Sequence, residues 1–178
     1  MKKIFMMLGI ASMITLISSC TSDPCEGKTA TELCSGKGTL ADKNGTCGCN
    51  CDAGYEGTKC ETLTITSLIG DWNQTSSALL NGQANARSGK TTIAQDGNAV
   101  NRVKITNLNQ FFGCTNGGAT SDVICYANIN GEVILDEAMQ CGHIFKGKGV
   151  RQSDGSWKFT YTATVGSSVY NCETILKK

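Results

Sequence analysis

The chain has 178 residues, with 16 Lys and Arg against 15 Asp and Glu for a formal net charge of +1. No basic run accompanies that balance, which excludes the electrostatic footprint of a nucleic-acid-binding protein. Eleven cysteines beside a single histidine and a single proline point to an oxidised, exported chain with little scope for histidine-based zinc chemistry.

Lys2 and Lys3 precede an apolar run from Ile4 to Ile17, and Ser18, Ser19 and Cys20 follow. Residues 1–19 therefore read as a signal peptide, too short to persist as a membrane-spanning helix. The stretch Ile17-Ser18-Ser19-Cys20 resembles the bacterial lipobox, an aliphatic residue, two small residues and a cysteine. That resemblance implies diacylglycerol on the Cys20 sulfur, cleavage before Cys20, and a palmitate-type acyl group on the new amino terminus. Several chains matter because each buried methylene contributes about 0.8 kcal/mol and one chain alone anchors only marginally. The expected partner of this end is thus a membrane, and the expected location is the bacterial outer membrane or cell surface, with a periplasmic face as the other option. Subtracting Cys20 from eleven cysteines leaves ten, an even number compatible with full pairing.

Residues 20–24 read as a lipidated tether. Cysteines then crowd the segment 25–61, at Cys25, Cys34, Cys47, Cys49, Cys51 and Cys60. A segment this short buries too little apolar surface to fold without covalent staples. Zinc is disfavoured because the spacing lacks paired Cys-x-x-Cys knuckles. The run Cys49-Asn50-Cys51-Asp52-Ala53-Gly54-Tyr55-Glu56-Gly57-Thr58-Lys59-Cys60 resembles the second half of an EGF-like module, with Gly54 and Gly57 suited to positive φ and Tyr55 to covering a small core. The first half departs from that family, since the third cysteine is delayed to Cys47. Six cysteines allow fifteen pairings; the resemblance implies Cys25–Cys47, Cys34–Cys49 and Cys51–Cys60. A calcium site is not expected, because Asp23 is the only carboxylate just ahead of Cys25 and cannot build a shell of oxygen ligands.

From residue 62 to 178 cysteine density falls and Thr, Val, Ile, Asn and Gly dominate. Trp157 to Val165 alternates strictly between large apolar and polar residues, the pattern of a half-buried strand. Ile144–Gln152 and Ser168–Leu176 flank it across turn chemistry at Asp154-Gly155 and Gly166-Ser167. Upstream, strands are expected at Leu68–Gln74, Lys90–Gln95, Val100–Leu108, Val123–Ile129 and Glu132–Leu135. The fold class is mainly β: a disulfide-rich module followed by an antiparallel meander of about eight strands, a number able to close into a small barrel. Gly70-Asp71-Trp72 on the first strand resembles the Gly-x-Trp of lipocalins, which implies a calycin-like barrel closed at one end by the Trp. The whole arrangement also resembles lipoproteins of Bacteroidetes-type bacteria, and that likeness implies no particular activity.

Four cysteines remain, with three possible pairings. Cys114–Cys125 is expected to staple a Gly/Asn/Thr-rich loop, and Cys141–Cys172 to join two strands. His143 lies two residues from Cys141, close enough for a nucleophile and a base, but a disulfide-bonded cysteine cannot attack a substrate. Asp136 and Glu137 read as solvated loop carboxylates, not a glycosidase pair. No catalytic residue, metal site or cofactor is therefore expected. The chain reads as a non-catalytic binding or adhesion module for protein or glycan, with a lipocalin-like carrier of a small apolar ligand as the alternative.

Overall fold

The computed structural model describes residues 22–80, 82–112 and 122–178. It begins with a stapled module. One helical turn, α1 (Ala30–Leu33), starts at Thr29, whose hydroxyl oxygen accepts from the Glu32 amide and donates to the Glu32 carboxylate at 2.8 Å. The first bond satisfies one amide that a short helix leaves open, and the second fixes the hydroxyl that accepts it. A hairpin follows, β1 (Gly38–Lys43) and β2 (Thr46–Cys51), turned by Asn44 and Gly45 at φ 56° and 81°. Positive φ at both positions is the backbone of a type I′ turn, whose twist matches the flanking strands.

Cys47, Cys49 and Cys51 occupy alternate positions of β2, so their side chains leave from one face. That face receives the three bridges Cys25–Cys47, Cys34–Cys49 and Cys51–Cys60, with Cα separations of 4.9, 5.6 and 5.3 Å. Two short strands, β3 (Tyr55–Glu56) and β4 (Thr62–Leu63), pair to close the module. Gly54 and Gly57 hold φ of 91° and 98°, and a Cβ on Gly54 would lie 2.6 Å from the Cβ of Asn101 in the following domain. Only glycine permits that approach.

No linker intervenes. Thr64, directly after β4, donates its amide to the Gly54 carbonyl at 2.9 Å and begins a 3-10 turn (Thr64–Ser67). Ile65 and Leu68 from this turn are fully buried in the base of the next domain, where the Trp72 indole N–H donates to the Leu68 carbonyl at 2.7 Å. Lys178 lies over the Trp72 ring at 4.7 Å, covering it from solvent.

Eight antiparallel strands then close in chain order: β5 (Gly70–Leu80), β6 (Gln83–Gln95), β7 (Arg102–Thr106), β8 (Asp122–Ala127), β9 (Val133–Gln140), β10 (His143–Arg151), β11 (Trp157–Val165) and β12 (Ser168–Lys177), with β12 returning to pair with β5. Closure leaves the barrel without a free sheet edge. Inward positions carry Trp72, Ile93, Ile105, Phe145, Trp157, Phe159 and Leu176, all buried. Gly147 and Gly149 of β10 leave the space that Tyr161 and Phe159 of β11 fill, since a Cβ at either glycine would collide with those residues.

Each expected strand is present, with three instructive shifts. Leu68 caps the 3-10 turn, and its buried side chain plugs the barrel base and does not continue the sheet. Strand β6 begins at Gln83, seven residues earlier than expected, through a stretch with no apolar alternation. Asp136 and Glu137 lie within β9 and not on a loop: they form a bulge in which the two residues oppose Lys146, with Glu137 at φ 53°.

Candidate binding surfaces

The barrel interior is the first place to look for a ligand, and its own chain occupies it. Trp157, Phe145 and Phe159 are fully buried, and Phe145 and Tyr161 pack with ring centroids 5.7 Å apart. Burial of each large aromatic contributes roughly 1.5–3 kcal/mol. From the opposite end enters the segment 107–112, turned by Asn107 at φ 57°. Leu108 and Asn109 are fully buried within the barrel.

A buried polar network grips this segment. Gln74 Nε2 donates to the Leu108 carbonyl at 2.8 Å and Thr174 Oγ1 donates to the same carbonyl at 3.2 Å. Ser76 and Thr174 share a hydrogen bond of 3.0 Å, Thr174 and Tyr161 one of 2.9 Å, and Asn109 Nδ2 donates to the Tyr161 hydroxyl at 2.6 Å. Asn109 Oδ1 in turn accepts the Phe111 amide at 2.8 Å. Gln74 Oε1 alone in this network has no partner; in a low-dielectric interior the bonds that are made fix one arrangement, because any withdrawn partner leaves a costly orphan. Burial also pushes the Tyr161 hydroxyl pKa well above its ordinary value. Beyond this plug, Phe112 contacts Phe111, His143 and Tyr170 at centroid distances of 6.4, 6.0 and 5.3 Å, and the Arg87 guanidinium lies 4.8 Å above Phe111.

The cysteines of the barrel differ from expectation. Cys125 and Cys172 are free and buried, so neither Cys114–Cys125 nor Cys141–Cys172 forms. Both free thiols point inward, from β8 and β12, which stand on opposite walls of the eight-stranded ring. They are core side chains, and burial raises both thiol pKa values, Cys172 to about 11. Cys141 instead sits with Gly142 in the two-residue turn between β9 and β10, at φ 52° and 79°, far from the middle of β12. It is disulfide-bonded, with a partner outside the described residues. Because Cys141 lies in a turn, it does not share a strand face with His143, whose ring meets Phe112 edge-on.

Cys20 and the loop 113–121 also lie outside the described residues. Among the described residues, no group of three or more His, Cys, Asp or Glu side chains is placed to hold a metal ion. Glu137 pairs with Lys146 at 3.6 Å on the open surface.

Two exterior features remain. At the end of the barrel away from the module, Met139, Ile144 and Val169 project outward in one cross-strand row with Thr164, and Met139 and Val169 are each 65% exposed. At the opposite end, the module and the β8–β9 turn form the walls of an open groove of about 600 Å³, lined by Lys43, Asn50, Tyr55, Glu56, Ile129 and Asn130 among others.

Fold and surfaces together define a class: a closed eight-stranded antiparallel barrel fronted by a three-disulfide region compatible with an EGF-like module. No family model, curated protein or solved structure matches the chain.

Proposed function

We propose that this chain is a lipid-anchored extracytoplasmic protein, held to a bacterial membrane through Cys20, that binds a partner non-catalytically through its outer surface. The observation that supports this reading is the occupied barrel. Its aromatic side chains and the segment 107–112 fill the interior, and the Leu108 carbonyl takes two buried donors. The lipocalin-like carrier remains the alternative, favoured by the plugged base at Trp72 and the up-and-down strand order. It requires the 107–112 segment to withdraw, breaking those hydrogen bonds, before an apolar ligand enters. Native mass spectrometry of the protein extracted from its own membranes separates the two. Mass equal to the lipidated chain alone agrees with surface binding, whereas a co-purifying small molecule lost on Trp157→Arg substitution would establish the carrier.

A further inference from the structure

We infer that the groove between the module and the barrel base is a binding site for a neutral saccharide, an assignment that rests on the surface-binding reading. Its volume of about 600 Å³ falls within the about 300–1,000 Å³ typical of small-ligand clefts. The chemistry of its walls selects the class of ligand. Lys43 Nζ donates to Asn50 Oδ1 at 2.5 Å, which orients the Asn50 amide so that its NH2 and the other ammonium protons serve as donors. Asn130 contributes a second amide from the barrel side and Glu56 a carboxylate acceptor. Hydroxyls on adjacent ring carbons both donate and accept, and they match such a mixture of amide, ammonium and carboxylate. The 68% exposed Ile129 adds apolar surface for the C–H face of a sugar ring, beside Tyr55, one face of whose ring carries the Lys37 ammonium at 4.5 Å.

Charge narrows the choice further. Lys43 and Glu56 carry opposite signs within one groove, so an anionic or a cationic ligand would meet a like charge. A neutral polyol meets none. The walls are also pre-positioned: Thr62–Leu63 pairs with Tyr55–Glu56, the next residue bonds Gly54, and Gly54 abuts Asn101. Little ordering entropy is then lost on binding.

The test uses the full-length protein purified in detergent, applied to an array of neutral oligosaccharides of glucose, galactose, mannose and N-acetylglucosamine, with sulfated and sialylated counterparts and unglycosylated peptides alongside. Binding to a neutral glycan is expected, weakened about three- to tenfold by Asn50→Ala and by Asn130→Ala, each of which removes neutral hydrogen bonds. Circular dichroism and intact bridges verify that both variants fold. A wild-type protein that binds no neutral glycan, a preference for the anionic set, or unchanged binding by both variants would overturn the assignment. Peptide binding abolished by the same two changes would reassign the groove to a peptide. A silent array leaves surface binding standing; that reading fails separately, if native mass spectrometry finds a small molecule inside the barrel.

Discussion

Replacing Tyr161 by Phe removes one oxygen from the centre of the barrel network and leaves the ring in place. The hydroxyl accepts from Asn109 Nδ2 at 2.6 Å and shares a bond of 2.9 Å with Thr174. The bond to Thr174 contributes about 1 kcal/mol net. Thr174 keeps Ser76 and the Leu108 carbonyl as partners. Asn109 is fully buried, and stranding its amide hydrogen adds about 1–3 kcal/mol. The expected loss for Tyr161→Phe is about 2–4 kcal/mol, or roughly 6–15 °C in Tm for a domain of this size. Both tryptophans of the chain, Trp72 and Trp157, lie in the barrel. Urea unfolding followed by tryptophan fluorescence therefore reads the barrel alone. A double-mutant cycle with Asn109→Leu is expected to show coupling of about 0.5–3 kcal/mol. A loss below about 0.5 kcal/mol, the range of ordinary surface substitutions, would refute the view that this network clamps the 107–112 segment.

Three further outcomes are expected. Burial raises the Cys172 thiol from its ordinary 9.0 to about 11, so its contribution to stability is complete below pH 9 and is lost as pH rises toward 11; Cys172→Ala is expected to lessen the slope of that part of an unfolding profile measured at stepped pH, the buried Cys125 thiol supplying a remaining slope of the same sign, and an unaltered profile would count against it. Alkylation of the native protein with iodoacetamide is expected to spare Cys125 and Cys172, and denaturation without reductant to expose both, while peptide mapping finds Cys141 bridged; a Cys141–Cys172 peptide would contradict the structure. Cys20→Ser is expected to release the protein from membranes or leave residues 1–19 attached, and a processed variant that stays membrane-bound would reject lipidation at that cysteine.

Alternation made the strands legible. Trp157–Val165 is the case where sequence and structure share both ends, because every inward residue is apolar and every outward one polar or small. The first half of β6 offers no such contrast: residues 83–88 are exposed on both faces, so nothing in their order reports the pairing with β5. The bulge at Asp136 and Glu137 looked like a turn for a similar reason, since two adjacent carboxylates break the period locally. The 107–112 plug was beyond reach. Asn109 meets Tyr161 across 52 positions of sequence, and Ser76 meets Thr174 across 98. Cysteine parity misled in the barrel because an even count is equally compatible with two thiols serving as core side chains. In the module the family likeness carried the pairing, and the reason is geometric: three alternate cysteines on β2 share one face.

Two reduced thiols sealed inside a barrel bear on how the chain reaches its native state. On the proposed export to an oxidising compartment, Cys125 and Cys172 would compete for oxidation from the moment they emerge, and collapse of β8 and β12 would have to outrun thiol exchange. Each later unfolding excursion reopens that race, and a thiol captured by the wrong partner holds the chain open. Persistence of the folded protein would then depend on the height of its unfolding barrier more than on its equilibrium stability. Replacing both thiols would remove the trap and make repeated unfolding reversible.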